Sequence, residues 1–384
     1  MLRFLTAGES HGRALLVIVE GLPAGLPLTV AELQGELARR RLGYGRGPRM
    51  RFEADEVTLV SGVLHGRTIG SPIGIEIANT EWEKWAERMS PDPGGEGRRL
   101  TQPRPGHADL AGMQKYGFDE VSKVLERASA RETAARVAAG TCAKALLATI
   151  DVQVVSHVVA LGAVESKSER RPTPADLDAV DASPVRCFDP DAEAAMVAEI
   201  RAAMADGDSL GGAVEVLAYG VPVGLGSHVH WDRKIDGRLL QAMGSIQAVK
   251  AVEIGAGIDV AARRGSVAHD PISWDAEAGA YRRGSDLAGG IEGGITTGAL
   301  VWARAYMKPL ATLARPTLAT VDVDSKVEGV SFKERTDATA VPAMGVVAET
   351  MTAWVLADEA LRKFGGDSIG EFVRNRDGFL RQLG

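Results

Sequence analysis

The sequence predicts an α+β fold built from two related halves. Long helical patterns are mixed with strand and hairpin patterns over 384 residues, and 45% hydrophobic with 25% charged content is typical of globular proteins. Residues 7–27 align without gaps with 206–226, and the glycine and threonine pattern of 62–70 recurs in the same order at 290–298. This repeat predicts one domain, 1–384, with duplicated halves at about 1–165 and 185–384 that share one core. The alternative is chance similarity between glycine-rich turns.

The helices are predicted from capping residues and apolar spacing. Thr29-x-x-Glu32 is a capping box that opens a helix, which ends in three arginines before Gly43. Ser129-x-x-Glu132 is a second capping box, followed by small apolar residues at three-to-four spacing that indicate a core helix. Further helices are predicted near 191–205, 234–244 and 347–364, the last ended by Gly365-Gly366.

The strands are predicted from short apolar runs between turn residues, at 13–20, 56–63, 73–78, 152–164, 213–219 and 299–306. Segment 165–184, rich in serine, charge and proline, is predicted as an exposed loop or insertion.

Charge and cysteine usage narrow the function classes. A net charge of −7 disfavours general nucleic-acid binding, so an anionic ligand would need locally concentrated arginines. Cys142 and Cys187 are too few for a disulfide framework and suit a reducing compartment. No secretory signal is visible, and the early apolar run 14–19 is far shorter than the ~20 residues of a membrane span. We therefore expect a cytoplasmic enzyme with no membrane partner.

Four clusters carry residues suited to catalysis: Gly8-Glu-Ser10-His11-Gly12, Arg104-Pro-Gly-His107-Ala-Asp109, Glu126-Arg-Ala-Ser-Ala-Arg-Glu132, and Arg335-Thr-Asp337 followed by Pro342 and Glu349. A histidine between glycines is consistent with either a plain surface loop or a site in which backbone approaches a ligand and the imidazole titrates near neutral pH. His228 and His230 share a face of a strand pattern, but without a third ligand nearby a zinc site is disfavoured.

Six arginines crowd residues 39–51 with no acidic residue among them: Arg39, Arg40, Arg41, Arg46, Arg49 and Arg51. Such a run is either a solvated charged face or an anion site, because guanidinium groups match phosphate and carboxylate geometry. A nucleic-acid patch is the weaker alternative, since Tyr44 is the aromatic residue interleaved with the run. As an anion site, the segment is expected to order when its ligand arrives.

Together these clusters resemble the chorismate synthase family, with ordered matches from Gly8 to Glu349 that cover nearly the whole chain. The resemblance implies helices sandwiched between two sheets and a homotetramer. It also implies a carbon–oxygen lyase of the shikimate pathway, which eliminates phosphate from 5-enolpyruvylshikimate 3-phosphate in the anti-1,4 sense to give chorismate. Reduced FMN is then required, with no net redox change.

The resemblance also assigns roles to individual residues. His11 would protonate the departing phosphate, His107 would face the reduced flavin, and Asp337 would lie near the flavin N5. The substrate's anionic groups would be held by Arg40, Arg46, Arg49, Arg104, Arg131 and Arg335. The FMN would be held by Arg127, Ala128, Ser129, Gln247, Ala248, Gly293, Lys308, Pro309, Leu310, Ala311, Thr312 and Arg335.

The chain departs from the family pattern at several positions. Glu126 stands where glycine is usual, Ala128 where serine is usual, Thr336 where histidine is usual and Ala343 where arginine commonly follows Pro342. These differences put individual flavin contacts in question.

Two other functions compete with the lyase. An NADPH-dependent flavin reductase is expected to carry a dinucleotide fingerprint, and none is found in the sequence. A phosphate-binding module would keep its function without His11. Whether a reductase activity accompanies the lyase stays open.

Overall fold

The computed structural model describes residues 1–47, 55–94, 99–332 and 336–383. In chain order its strands are β1 Arg3–Ala7, β2 Ala14–Glu20, β3 Val57–Ser61, β4 Val63–Leu64, β5 Arg67–Thr68, β6 Ile73–Ala78, β7 Gln153–Leu161, β8 Val164–Glu165, β9 Gly212–Tyr219, β10 Val249–Ile254, β11 Ile272–Asp275, β12 Ala280–Arg283, β13 Ile291–Glu292, β14 Ile295–Thr296, β15 Val301–Met307, β16 Ala319–Val321 and β17 Glu328–Val330. Its α-helices are α1 Val30–Arg40, α2 Trp82–Trp85, α3 Asp109–Tyr116, α4 Ser122–Ala128, α5 Thr133–Ala148, α6 Leu177–Ala182, α7 Pro190–Asp206, α8 Ile235–Gly244, α9 Gly257–Ala261, α10 Val341–Phe364 and α11 Ile369–Leu380.

Two antiparallel sheets enclose a layer of helices, as the family resemblance implies. The first sheet has the order β1-β2-β6-β3 and the second β10-β15-β9-β7-β8. Helix α5 contacts β2 of the first sheet, whereas α10 contacts β7 and β9 of the second. α10 is buried around its whole circumference over most of its length, as expected for a central helix. One apolar cluster joins both sheets through these helices, so the described chain has a shared core.

The two halves have matching strands, registers and hydrogen bonds. In the first half Ala14 of β2 faces Ala78 of β6, and the equivalent positions in the second half, Ala213 and Tyr306, face each other in β9 and β15. The neighbouring strands correspond as well. The β1–β2 pair of the first half is matched by β7–β9 in the second, and the β3–β6 pair is matched by β10–β15. Segments 7–27 and 206–226 therefore form equivalent strand and turn units. The boundaries of the halves remain a prediction.

Helix α1 confirms its predicted start. Thr29 accepts a hydrogen bond from the Glu32 amide, and the Glu32 side chain accepts one from the Thr29 amide. Leu33 and Leu37 are fully buried, which contributes about 1.5–3 kcal/mol for each side chain.

The second predicted capping box is wrong. Ser129 accepts from the Arg131 amide and begins a 3-10 turn, Ala130–Glu132, before α5 starts at Thr133. The Glu132 carboxylate does not return to Ser129, because it accepts from Thr6, Arg136 and Gln247 instead.

Three further predictions need correction. Helix α10 begins at Val341, six residues earlier than the predicted 347, with Pro342 in its first turn. Segment 165–184 is not simply a loop, since it contains a 3-10 turn at Pro174–Asp176 and helix α6. The turn after β9 carries His228 and His230 in bends rather than in a strand. Across the described ranges, no helix has the length and apolarity that crossing a membrane requires.

Candidate active site

A cavity of about 720 Å³ lies where loops from both halves meet, in the upper part of the range typical of small-molecule pockets. Its walls come from the loop after β1, the end of α1 and the loop that follows it, α2, the segment before α3, the α4–α5 junction, the segment between α8 and β10, the chain after β15, and the segment before α10 with the start of that helix. Among the described residues, its charged lining comprises Arg40, Arg46, Arg104, Arg131, Lys308, Glu81 and Asp337. Positive groups therefore outnumber carboxylates in a protein whose net charge is negative.

His11 lies in this wall with its ring fixed on one edge and one face. Its backbone amide donates to the Glu126 carboxylate at 2.9 Å, and its Nδ1 lies 3.0 Å from the other carboxylate oxygen. The ring stacks on Trp85, with centroids 4.0 Å apart. A Cβ on Gly8 would come 2.3 Å from the Ala14 carbonyl oxygen, so this glycine permits a close approach between two segments of the chain. The approach of the Gly8 and Gly12 backbone to a ligand stays a prediction.

His107 and Arg104 are held together by one buried carboxylate. Asp109 accepts from the Arg104 backbone amide at 3.0 Å and from its Nε at 2.8 Å, and it contacts Nδ1 of His107. Burial alone would raise the pKa of Asp109, but the hydrogen bonds from His107 and Arg104 hold it well below its usual value. Arg104 also donates to Thr312, which ties this group to the segment after β15.

The other described arginines of the cavity reach it from different elements. Nε of Arg40 donates to Thr133 at 3.1 Å, at the first residue of α5. Arg46 pairs with Asp337 at 3.3 Å, and the Gly47 amide donates to the same carboxylate. Asp337 thereby anchors the arginine-rich loop to the chain before α10.

Arg131 is a buried arginine with partners of its own. It donates to Asn79 at 2.9 Å and pairs with the buried carboxylate of Asp55. Its side chain is thus fixed in place without a ligand.

Arg39 does not belong to the anion site, and the expectation of an arginine run without acids is wrong for it. Its guanidinium makes two hydrogen bonds with Glu349, at 2.8 and 2.9 Å, and contacts Glu36 and Asp181. The run contains no acid in sequence, but folding brings carboxylates to it from distant segments. Arg49, Arg51 and Arg335 lie outside the described residues.

The predicted flavin residues fall into two groups. Those that line the cavity are Ala128, Ser129, Gln247, Ala248, Lys308, Pro309, Leu310, Ala311 and Thr312. Arg127 and Gly293 are not among the lining residues. Arg127 is exposed and donates to Thr6 and to the Gly8 carbonyl, and Gly293 lies in the exposed turn between β13 and β14.

Sequence reasoning missed three groups beside the histidines. It noted Glu126 as a departure from the family but gave it no role, and it gave none to Asp109 or Trp85. The position of Asp109, two residues after His107 in the sequence, was a usable signal. Trp85 had no such signal, because its contact with His11 spans two separate segments. No cluster of three potential metal ligands occurs among the described residues.

An α+β sandwich with an arginine-lined cavity and two histidines in its wall is the kind of site that suits an enzyme acting on an anionic small molecule. Comparisons with known proteins specify the family. The chorismate synthase family profile matches residues 2–361. The chain belongs to this family.

Similar proteins cover the chain from end to end. The chorismate synthase of Salinispora tropica is 58% identical over 392 residues, with 100% of this chain and 99% of the relative covered. That of Micrococcus luteus is 58% identical, with 99% and 94% covered. A crystal structure of a chorismate synthase superposes with a TM-score of 0.79 at 39% identity, covering 100% of this chain and 98% of the other.

Proposed function

We propose that the cavity binds 5-enolpyruvylshikimate 3-phosphate together with reduced FMN and eliminates phosphate to give chorismate. The enzyme is then a carbon–oxygen lyase of the shikimate pathway, which leads to the aromatic amino acids. The observation that carries this proposal is that His11, His107 and four arginines line one cavity.

The arginines account for recognition of the substrate. The substrate carries a phosphate and two carboxylates, and forked guanidinium groups bind such anions with charge-assisted hydrogen bonds. Arg104 and Arg131 are already fixed by Asp109 and Asp55, so little side-chain entropy is lost when the anion binds. Arg40 and Arg46 complete the described set, and Arg49 and Arg335 are proposed as further contacts.

His11 serves as the general acid for the leaving group. The carbon–oxygen bond breaks, the electron pair leaves with the phosphate, and His11 donates a proton to the departing oxygen. The substrate ring loses a proton from its opposite face and gains a double bond, so the atoms and electrons of the elimination balance. The surrounding cavity restricts water and keeps the reacting groups in one orientation.

The residues present fit a flavin. Oε1 of Gln247 is buried and has no hydrogen-bond partner among the described residues, although its Nε2 donates to Glu132. Such an orphaned acceptor fits a donor on a bound ligand. Ala128, Ser129, Ala248 and the segment 308–312 would hold the group, with His107 beside its anionic reduced form. When bound, reduced FMN supplies electron density that weakens the carbon–oxygen bond, without net oxidation.

The test is an anaerobic assay with chemically reduced FMN and the shikimate-pathway substrate. We expect phosphate release that requires the reduced flavin and is largely lost in His11→Ala. Phosphate binding without turnover would instead favour a binding module. Oxidation of NADPH with FMN and no other protein would show an accompanying reductase.

We further propose a homotetramer in the cytoplasm. The outer face of the first sheet exposes Leu5, Leu16 and Ile18, which are 71%, 46% and 51% accessible, and an apolar patch of this kind supports self-association. The free, buried thiols of Cys142 and Cys187 support a reducing compartment. Light scattering of the purified enzyme tests the oligomer, and a monomer at working concentration would contradict it.

A further inference from the structure

Glu126 is a buried residue whose carboxylate, among the described residues, makes its hydrogen bonds with His11 in the cavity wall. It lies near the end of α4 and is 8% exposed. One oxygen accepts from the His11 backbone amide at 2.9 Å, and both oxygens lie within 3.1 Å of the His11 Nδ1.

The backbone of Glu126 fixes the loop independently of its side chain. The Ser10 amide donates to the Glu126 carbonyl oxygen at 2.9 Å, and the Ser129 hydroxyl donates to the Ser10 hydroxyl at 3.1 Å. Neither bond uses the Glu126 side chain. The carboxylate therefore adds control of the imidazole ring to a loop that is already held.

Glu126 and Trp85 both restrict the orientation of the ring. Trp85 covers one face with an interplanar angle of 23°, which restricts tilt. A carboxylate at Nδ1 holds a hydrogen on Nδ1 in the charged and in the neutral ring, and it restricts rotation about the side-chain bonds. In the charged ring the second hydrogen is on Nε2, and this is the proton that the ring can give. Proton exchange with a ligand then falls to Nε2 at the opposite edge of the ring.

We infer that Glu126 is the positioning residue for His11, holding Nδ1 so that the proton passes to the leaving phosphate from Nε2. This inference rests on the proposed function, in which His11 is the acid. The protons on His11 balance over one turnover. Nε2 gives one proton to the phosphate and regains one from solvent after product release, while Nδ1 keeps its hydrogen toward Glu126.

A double-mutant cycle tests the inference on the full-length enzyme with reduced FMN under nitrogen. The variants are Glu126→Ala, His11→Ala and the two combined, with Glu126→Gln as the conservative variant. We expect Glu126→Ala to lower kcat by about 10–100-fold, the usual effect of losing a group that orients a functional histidine, with a much smaller change in KM. Glu126→Gln keeps an acceptor of the same shape and should recover part of the loss.

The combined variant separates positioning from general structural support. If Glu126 acts through His11, its removal costs nothing more once His11 is alanine. An equal further loss of kcat in the His11→Ala background would overturn the inference, and so would parent kcat in Glu126→Ala. If Glu126→Ala does not fold, Glu126→Gln completes the same cycle, and parent kcat in that variant then overturns the inference.

The same data distinguish failure of the inference from failure of the proposed function. Parent turnover in His11→Ala would remove the acid role itself. Glu292→Ala, which removes an exposed carboxylate paired with Arg283, is the matched control and should leave both kinetic constants unchanged.

Discussion

The hydroxyl groups of Thr68 and Thr296 make the same hydrogen bonds in the two halves of the protein. Thr68 donates to the Pro23 carbonyl at 2.6 Å and accepts from the Leu26 amide at 3.0 Å. Thr296 donates to the Pro222 carbonyl at 2.7 Å and accepts from Leu225 at 2.9 Å. Each hydroxyl joins a hairpin to the turn after the central strand of its half, so the duplication extends to side-chain chemistry.

Replacing either threonine with valine tests this equivalence. Both side chains are buried, so Thr68→Val and Thr296→Val should each lower the free energy of unfolding by about 1–3 kcal/mol, because a buried amide and carbonyl lose their partner. Urea unfolding gives the values, with the exposed Thr58→Val as control. A loss confined to one half would show that the two hydroxyls are not equivalent.

Glu349 is the centre of a buried ionic cluster, and its removal should destabilise the protein. It accepts from Ser156, Arg39, Lys144 and Arg186, and both Glu349 and Arg186 are fully buried. Glu349→Gln leaves buried cations without their counter-charge, which typically costs about 3–5 kcal/mol. Glu292→Gln, at an exposed pair, should cost less than about 1 kcal/mol by the same measurement. Similar stability of the two variants would argue against the cluster's contribution.

The same cluster predicts a pH dependence of stability. Burial raises the pKa of Glu349, but the charges of Arg39, Lys144 and Arg186 outweigh it and hold the pKa well below the usual 4.5. Because the folded-state pKa is the lower one, the stabilisation is fully present above pH 4.5 and declines as pH falls below it. The difference in unfolding free energy between wild type and Glu349→Gln should therefore be constant from pH 6 to 8 and shrink toward pH 3. A difference in unfolding free energy that grows as the pH falls would contradict this prediction.

Arg46→Ala should weaken substrate binding far more than flavin binding. A lost charge-assisted hydrogen bond is worth about 1.5–3 kcal/mol, or roughly 10–150-fold in affinity. Titration calorimetry with each ligand gives both constants, and Arg283→Ala, at a residue that does not line the cavity, is the control. Equal losses for substrate and flavin would contradict the assignment.

The substitutions His11→Ala and His107→Ala should impair the enzyme in different ways. His11→Ala should still bind substrate and reduced flavin, but turnover should fall by roughly 10²–10⁴-fold, as expected for a lost general acid. His107→Ala should weaken binding of reduced FMN and shift the spectrum of the ternary complex, because the anionic flavin loses a cationic neighbour. Parent turnover in the first variant, or unchanged flavin affinity and rate in the second, would show that these roles are wrong for this chain.

The sequence predicted what local chemistry determines, and it missed what depends on distant segments. Caps, turns and periodicity located α1, α7, α8 and the central strands. The repeat was visible because its glycines and threonines have local hydrogen-bonding roles. The Arg39 to Glu349 pair spans 310 positions, so an arginine run read by itself suggested a single anion site. The capping box at Ser129 failed for the same reason, since tertiary donors take the Glu132 carboxylate.

The most direct test of the central claim is a stoichiometry measured in one anaerobic reaction. Wild-type enzyme, chemically reduced FMN and 5-enolpyruvylshikimate 3-phosphate are mixed, and phosphate, chorismate and reduced flavin are quantified together. We expect one phosphate for each chorismate over many turnovers, with the flavin still reduced at the end and no reaction when flavin is omitted. Phosphate release without flavin, or oxidation of one flavin for each product formed, would contradict it.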